Sequence, residues 1–246
     1  MMYLGGKSRL AKRIGAAILE NTNQRGCYIE PMIGGGSVFF ELAPHFQKSY
    51  GGDIQEDLIL MYRALAEGWE PPNTLPEDEW RELRDSEPSA LRAFAGFGCS
   101  FGGRFFEGYA RNTKGDNYAA HARKRLMRYS DTLETITIPP FFGHGDYDEW
   151  TPTPDCVVYL DPPYAGTKGY SSKRSGVPTF NHDAFWNTAA EWVTVRGAHV
   201  FVSEFAAPEG WTPVWERERS VGVGTMSGAS YTKKTDKLFV YGGGYK

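Results

Sequence analysis

The tetrad Asp161-Pro162-Pro163-Tyr164 directly follows an apolar run at residues 157–160. The run predicts a buried strand, so the tetrad is expected at the carboxyl end of that strand. Two consecutive prolines have no backbone N–H groups and stiffen the turn, which lets the Pro162 carbonyl point outward as an acceptor. The Asp161 carboxylate is a second acceptor, and the Tyr164 ring offers a flat stacking surface. These two acceptors and the ring are suited to binding a planar amino group on a base, by hydrogen bonds and by stacking.

An exocyclic amino group is a poor nucleophile because its lone pair is delocalised into the ring of the base. Two acceptors that hold its N–H bonds draw the nitrogen toward a pyramidal geometry and stabilise the positive charge that develops during alkylation. Stacking on Tyr164 fixes the plane of a base that has been flipped out of a duplex. Asp161, Pro162 and Tyr164 are therefore the expected catalytic residues. The alternative interpretation of the tetrad is a proline-rich turn without catalytic function.

A glycine-rich segment at residues 30–38 lies between a predicted strand and a predicted helix. Glycines such as Gly34 and Gly36 let the backbone approach a ligand closely. Asp53 ends the next predicted strand, where a carboxylate can accept hydrogen bonds from ribose hydroxyls. Phe39 stands at the third glycine position of the dinucleotide fingerprint, so the pattern favours a nucleoside without pyrophosphate over a nicotinamide cofactor. The simpler alternative is a glycine-rich loop without a ligand.

The elements that must position these motifs alternate between strand and helix, both before residue 66 and after residue 130. This alternation predicts a parallel α/β sheet. A closing antiparallel hairpin is predicted from residues 211–219 and 237–241, with a long turn at 222–234. The other predicted strands are 26–30, 49–53, 135–138, 157–160 and 199–203, and the predicted helices are 10–18, 38–42, 58–65 and 180–195.

The middle of the chain, residues 66–130, has a different character. An acid-rich stretch at 67–87 precedes a base-rich stretch at 104–128, with a glycine- and aromatic-rich loop predicted at 96–103. We interpret this region as a mostly helical insert. The remaining residues form the catalytic domain in this interpretation, in two segments at 1–65 and 131–246.

The basic residues of the insert and of the loop after the tetrad are candidates for contacting DNA. Arginine and lysine grip phosphates, and arginine or asparagine reads base edges in the major groove. A solvated helical face and an ordinary surface loop are the respective alternatives. The candidates are Arg104, Arg111, Asn112, Lys114, Arg123 and Lys124 in the insert, and Lys168 and Lys173 in the loop.

The composition is that of an ordinary globular protein with a net charge of −3, so any binding of DNA depends on local basic patches. Three scattered cysteines argue against a disulfide framework and a zinc site, and no two histidines have ligand-like spacing, so no metal is assigned. No apolar run is long enough to be a signal sequence or to span a membrane. These features predict a cytoplasmic enzyme that is a monomer or a weak dimer.

Four segments, in this order along the chain, resemble the Dam-like (D12 class) adenine-specific DNA methyltransferases: residues 3–7, 30–39, 52–54 and 161–164. The resemblance implies a Rossmann-like S-adenosylmethionine-dependent methyltransferase sheet with helices on both faces and an inserted, mostly helical DNA-recognition subdomain. It also implies S-adenosyl-L-methionine as cofactor, double-stranded DNA as partner, and a role in restriction-modification. The implied cofactor contacts are Tyr3, Lys7, Glu30, Pro31, Gly34, Gly36, Asp53, Asp146 and Asp161.

Two positions depart from the family pattern, because Tyr3 stands where Trp is more frequent and Met32 where Phe is common. The tetrad also suits methyltransferases that act on cytosine N4 or on RNA, and only the order of the four segments favours adenine in DNA. A non-catalytic DNA-binding protein on the same scaffold and a nicotinamide-dependent oxidoreductase are further alternatives. The intact tetrad, Asp53 and Lys7 argue against the first, and Phe39 and the prolines argue against the second.

Overall fold

The computed structural model describes residue 3 and residues 5–165, 179–225 and 228–245, with side chains described throughout except at 219–225 and 228–232. Seven strands form one sheet in the order β3-β2-β1-β4-β5-β7-β6. Strands β1 to β5 pair in parallel, and β7 pairs antiparallel with β5 and β6. The strands are β1 Cys27–Glu30, β2 Lys48–Asp53, β3 Phe141–His144, β4 Cys156–Leu160, β5 His199–Glu204, β6 Trp211–Thr225 and β7 Gly228–Tyr241.

Helices cover both faces of the sheet. Successive residues of a strand point to opposite faces, so neighbouring residues of β1 pack on different groups of helices. Tyr28 of β1 belongs to a core that contains the residues of the first three helices, whereas its neighbours Cys27 and Ile29 belong to a core with Phe185 and Trp186 of the last helix. The Rossmann-like α/β prediction is thereby confirmed. The helices are α1 Ala11–Asn21, α2 Phe39–Leu42, α3 Glu56–Ala66, α4 Glu77–Arg84, α5 Ala90–Ala93, α6 Tyr118–Thr135 and α7 His182–Thr194.

The strand order reverses between β1 and β4, which are paired neighbours although the insert separates them along the chain. In open α/β sheets, ligands bind outside the carboxyl ends of the strands at such a switch point. Here β1 ends at Glu30 and β4 ends at Leu160, so the glycine-rich segment and the tetrad begin side by side.

The strand predicted at residues 135–138 is wrong. Thr135 is the last residue of α6, and the strand that pairs with β2 is Phe141–His144. Leu126 of α6 is fully buried, and Tyr129 and Leu133 pack against the same core, so packing extends the helix as far as Thr135, the first of the residues that looked strand-like. Prolines at positions 139 and 140 cannot donate to a ladder and therefore separate helix from strand.

Two predicted loops are also wrong. Within the loop predicted at 96–103, Phe94–Gly98 is a π-helical turn and Phe101–Gly103 a 3-10 turn. Gly96 is required there because a Cβ atom would lie 2.4 Å from the Phe105 ring. The long turn predicted at 222–234 is replaced by strand, because β6 and β7 stay paired as far as Thr225 and Gly228.

The insert is mostly helical, with α4, α5 and most of α6 around an irregular stretch at 104–117. Its rings Phe94 and Phe97 lie in the same core as α1 to α3. No helix among the described residues is long and apolar enough to cross a membrane.

Candidate active site

Lys7 and Asp161 meet at the centre of the site although 154 residues separate them in the chain. The Lys7 ammonium donates to both carboxylate oxygens of Asp161, with Nζ 2.6 Å from Oδ1 and 2.7 Å from Oδ2. The same Nζ lies 4.5 Å from the centre of the Tyr164 ring. Lys7 is held there because its carbonyl accepts the N–H groups of Leu10 and Ala11 at the start of α1. Two residues of the tetrad, Asp161 and Tyr164, thus already contact a nitrogen that donates hydrogen bonds.

Burial raises the pKa of Asp161, and the carboxylate of Asp236 raises it further, whereas the adjacent Lys7 ammonium lowers it. The ion pair therefore favours the charged carboxylate in a place where burial disfavours it. Burial likewise raises the pKa of the Tyr164 hydroxyl well above its ordinary value, so the phenol stays protonated. Among the described residues, no hydrogen bond reaches the Pro162 carbonyl oxygen, which leaves it available as a second acceptor.

The carboxyl end of β5 holds the segment that carries Tyr164. The buried Glu204 carboxylate accepts the Ala165 N–H at 3.0 Å and the Phe205 N–H at 2.7 Å. The Phe205 ring meets the Tyr164 ring edge to face, with centroids 4.5 Å apart. These contacts fix the ring without blocking the side where Lys7 lies. Glu204 and Phe205 were not predicted as site residues, because they are about 40 residues from the tetrad in the sequence and belong to no motif.

Asp53 organises the glycine-rich segment at the end of β2. Its carboxylate accepts the Gly34 N–H and the Gln55 N–H, each at 2.9 Å. Burial raises the pKa of Asp53 to about 6, partly offset by these two hydrogen bonds. Gly34 has a φ of +46°, and a Cβ atom there would lie 2.8 Å from the Tyr3 ring. Tyr3 therefore packs directly on the glycine-rich backbone.

Gly36 and Glu30 complete this half of the site. Gly36 has a φ of +73°, and a Cβ atom would lie 2.8 Å from the Tyr62 hydroxyl, which donates to the Gly34 carbonyl. Glu30 is buried beside Pro31 and accepts a hydrogen bond from Tyr28 at 2.6 Å. Burial raises the pKa of Glu30 well above its ordinary value, and the hydrogen bond from Tyr28 partly offsets this rise.

Asp146 follows β3 at the same edge of the sheet. The Gly145 N–H donates to the Asp53 carbonyl, which places this turn beside the end of β2. The Asp146 carboxylate accepts the Tyr147 N–H at 2.7 Å and caps a short 3-10 helix, Tyr147–Glu149. The carboxyl is half-buried, and this burial raises its pKa. The structure thus brings Asp146 to the candidate cofactor edge.

Most of the DNA-contact candidates in the insert are engaged with nearby acids. Arg111 lies 3.0 Å from Glu77, and Arg123 lies 2.5 Å from Glu70. Arg104 pairs with Glu107 at 3.5 Å, and Asn112 donates to Asp116 at 2.7 Å. The acid-rich and base-rich stretches of the insert therefore partly neutralise each other. These ion pairs could not be predicted from the sequence, because the two stretches are far apart in it. Lys114 and Lys124 are exposed, and Lys168 and Lys173 lie outside the described residues.

Phe101 is an exposed aromatic side chain in the insert that the sequence interpretation missed. It is 68% exposed and precedes Gly102 and Gly103, both with positive φ, and then Arg104. The ring is therefore presented to solvent on a glycine turn, followed directly by a cation. The sequence Phe-Gly-Gly-Arg, which leads into the base-rich stretch, could have indicated an exposed ring at this position.

The cysteines and His199 have structural environments. All three cysteines are free and buried, and His199 bonds to the Thr22 hydroxyl at 2.6 Å and stacks on Tyr245. Within the described part of the chain, no group of three or more His, Cys, Asp or Glu side chains could hold a metal ion.

Comparisons with known proteins show the family to which the chain belongs. The model of the D12 class N6 adenine-specific DNA methyltransferase family matches residues 3–90. Type II methyltransferase M1.LlaDCHI of Lactococcus lactis subsp. cremoris is 38% identical over an alignment 211 residues long that covers 74% of this chain and 70% of that protein. The chain belongs to the D12 class family. This methyltransferase is also 24% identical to Type II methyltransferase M.CviBI of Paramecium bursaria Chlorella virus NC1A, over an alignment 224 residues long that covers 82% of this chain and 84% of that protein.

Among solved structures, the methyltransferase is similar to the rRNA methyltransferase aviRa from Streptomyces viridochromogenes. The TM-score is 0.43 with 16% sequence identity, over 96% of this chain and 84% of that one. Family membership confirms the interpretation of the chain as an S-adenosylmethionine-dependent DNA adenine methyltransferase. It decides for adenine in DNA against the cytosine, RNA and nicotinamide alternatives.

Proposed function

We propose that the enzyme methylates N6 of an adenine that is flipped out of a specific site in double-stranded DNA, with Asp161, Pro162 and Tyr164 gripping the base. The observation that carries this proposal is the position of the Lys7 ammonium, between the Asp161 carboxylate and the Tyr164 ring face. A nitrogen that donates hydrogen bonds already lies where the amino group of a stacked base would lie. The Asp161 carboxylate and the Tyr164 ring therefore lie close enough together to hold one nitrogen between them.

The carboxyl ends of β1, β2 and β3 fit the cofactor. Asp53 offers a carboxylate for ribose hydroxyls, and Gly34 and Gly36 keep the loop free of side chains. When bound, S-adenosylmethionine supplies an electrophilic methyl group on a positively charged sulfur. We assign the remaining contacts to Tyr3, Lys7, Glu30, Pro31, Asp146 and Asp161.

The protein's own part in the reaction is positioning and charge stabilisation. The amino group of the target base displaces the Lys7 ammonium and donates to Asp161 and to the Pro162 carbonyl. Both acceptors stabilise the positive charge that grows on the nitrogen as it is alkylated. The nitrogen then loses a proton, either to Asp161 or to water, and no covalent bond to the enzyme forms.

The DNA lies against the insert, residues 66–130, in this proposal. Phe101 enters the base stack and Arg104 contacts a neighbouring phosphate, while Lys114 and Lys124 add phosphate contacts. The names of both curated relatives describe Type II methyltransferases. We therefore propose that the enzyme acts in the cytoplasm, as a monomer or weak dimer, and protects DNA from a companion restriction endonuclease.

Substitution of Asp161 tests the proposed chemistry. We expect Asp161→Ala and Asp161→Asn to lower kcat for DNA methylation by about 10²- to 10³-fold, the range seen when a transition-state hydrogen-bond partner is removed. Asp155→Ala is the matched control, because Asp155 is an exposed acid at the opposite end of the same strand. Transfer of labelled methyl groups gives the rate, and mass spectrometry of nucleosides from the product identifies the base. Near-normal turnover in both Asp161 variants, or a product other than N6-methyladenine, would overturn the proposal.

A further inference from the structure

The β6–β7 hairpin projects beyond the edge of the sheet where the site lies. Strand β5 pairs with β7 only as far as Glu204 opposite Lys237. The β7 residues 228–236 continue past the carboxyl end of β5 and pair only with β6. At about 3.4 Å per residue this extension is about 30 Å long. A duplex that delivers a base to the tetrad must therefore pass close to the hairpin.

The two faces of this hairpin differ in charge. On one face each lysine is neutralised by a glutamate: Lys237 pairs with Glu216 at 3.1 Å and Lys233 with Glu218 at 2.8 Å. Alternation places Arg217, Lys234 and Asp236 on the other face. Among the described residues, no carboxylate lies within ion-pair distance of Arg217. This second face therefore carries a net positive charge.

The positive face of the hairpin is the face that turns toward the site. Arg217 and Asp236 line a pocket of about 470 Å³ together with Tyr3, Lys7 and Arg9. The N-terminal segment forms the other wall of this pocket. The centre of its Tyr3 ring lies 5.1 Å from the centre of the Phe97 ring of the insert. The N-terminal segment thus lies between the insert on one side and the hairpin on the other.

Lys234 extends the positive face to the tetrad. Its ammonium lies 4.4 Å from the centre of the Phe205 ring, and Phe205 contacts Tyr164. Arg217 and Lys234 therefore flank the place where the target base enters. A protein with a net charge of −3 needs local cations of this kind to hold a polyanion.

We propose that the site-facing side of the β6–β7 hairpin, through Arg217 and Lys234, binds the phosphate backbone of the DNA strand that carries the target base. The proposal rests on the proposed function, and it adds a second DNA-contacting surface across the site from the insert. Contacts to phosphate carry no sequence information, so the hairpin adds affinity without selecting the site.

The test compares Arg217→Gln with Lys233→Gln, which removes a cation of the same strand pair from the neutralised face. Binding of a duplex with the target site and of an unrelated duplex is measured over a range of salt concentrations. We expect Arg217→Gln to reduce the slope of log K against log salt by about 1 for both duplexes, because one phosphate contact is lost. Arg217→Lys should keep the slope, Lys233→Gln should not change it, and Arg217→Gln with Lys234→Gln should reduce it by about 2.

Three results would overturn the inference. They are an unchanged slope in the double variant, an equal change in Lys233→Gln, and a loss confined to the target duplex. Calorimetry with S-adenosylhomocysteine checks the pocket, since weaker binding to Arg217→Gln would place Arg217 in the cofactor site instead. Failure of the proposed function has a separate signature, because the unmodified enzyme would then neither methylate nor bind a duplex.

Discussion

Asp53 holds a negative charge where burial opposes it. Its two oxygens accept the N–H groups of Gly34 and Gln55, and burial still raises its pKa to about 6. An aspartate in an unfolded chain has a pKa of about 3.9, so the folded protein binds this proton more tightly than the unfolded chain does. The contribution of Asp53 to the free energy of unfolding therefore falls as the pH rises from about 4 to 6. The ionised form is nevertheless the one that accepts hydrogen bonds from a ribose.

Cofactor affinity should therefore depend on pH in the range where Asp53 titrates. We expect the affinity for S-adenosylhomocysteine to fall about tenfold between pH 7 and pH 5, since about nine-tenths of a carboxylate with this pKa is protonated at pH 5. Asp53→Asn should bind more weakly at pH 7 and lose this dependence, whereas Asp155→Asn should keep the unmodified profile. Calorimetry across the pH range measures both. A flat profile for the unmodified enzyme would show that Asp53 is not the acceptor.

The individual residues of the site were predictable to the extent that their signals were local. Asp53 and Asp161 each end a strand that its own composition reveals, and the prolines after Asp161 mark the turn. The pairing of Lys7 with Asp161 could not be predicted, because it depends on how α1 packs across the sheet. By resemblance Lys7 is expected at the cofactor, and the structure pairs its ammonium with Asp161, which is also an expected cofactor contact.

At the scale of elements, a buried ion pair fastens the insert to the sheet domain. The Asp57 side chain at the start of α3 is 3% exposed and lies 2.6 Å from the Arg92 guanidinium of α5. Asp57 also accepts the N–H of Ser89, which caps α5. The Arg92 guanidinium further donates to the Leu83 carbonyl and lies 5.1 Å from the centre of the Phe105 ring.

Removal of both partners of this pair should cost less than the sum of the two single removals. We expect Arg92→Ala to lower the free energy of unfolding by about 3 kcal/mol, because it leaves the buried Asp57 carboxylate without its partner, and Asp57→Ala to lower it by less, because the Arg92 side chain is 17% exposed. The double variant should be destabilised by clearly less than the sum of the two. Urea unfolding of all four proteins measures the coupling. Additive losses would mean that Asp57 and Arg92 act independently.

The elements that were predicted wrongly from the sequence depend on contacts with other segments of the chain, which the local sequence does not show. Residues 135–138 looked like a strand, but α6 continues into them because Leu126, Tyr129 and Leu133 pack on a core assembled from other helices. The turn expected at 222–234 is strand, because the two long strands satisfy each other's backbone groups. Strands with strong apolar runs, such as β4 and β5, needed no such information.

At the scale of the whole molecule, the insert presents Phe101 and the sheet presents the tetrad. An apolar ring that enters the base stack lowers the cost of flipping a paired base and contributes little when the base is already unpaired. This difference separates a role for Phe101 in flipping from a role in general DNA affinity.

Phe101→Ala should therefore slow methylation of a fully paired target by about tenfold or more, with most of the rate recovered when the target adenine faces a mismatch. Phe141→Ala is the matched control, because Phe141 is 56% exposed but lies on the edge strand β3. Single-turnover methylation of paired and mismatched duplexes gives the comparison. Equal slowing on both duplexes would argue against a role in flipping.

The pairing of β1 with β4 has one more consequence. Tyr3, Lys7 and Asp53 come from before the exposed stretch at 111–117, and Asp146, Asp161 and Tyr164 come from after it. A cut in that stretch would leave each fragment with half of the site, joined to the other only by noncovalent contacts such as the parallel pairing of β1 with β4. The two fragments, fused to two other proteins, would form a complementation reporter. A methyl mark left on DNA would record in a heritable molecule that those two proteins had met.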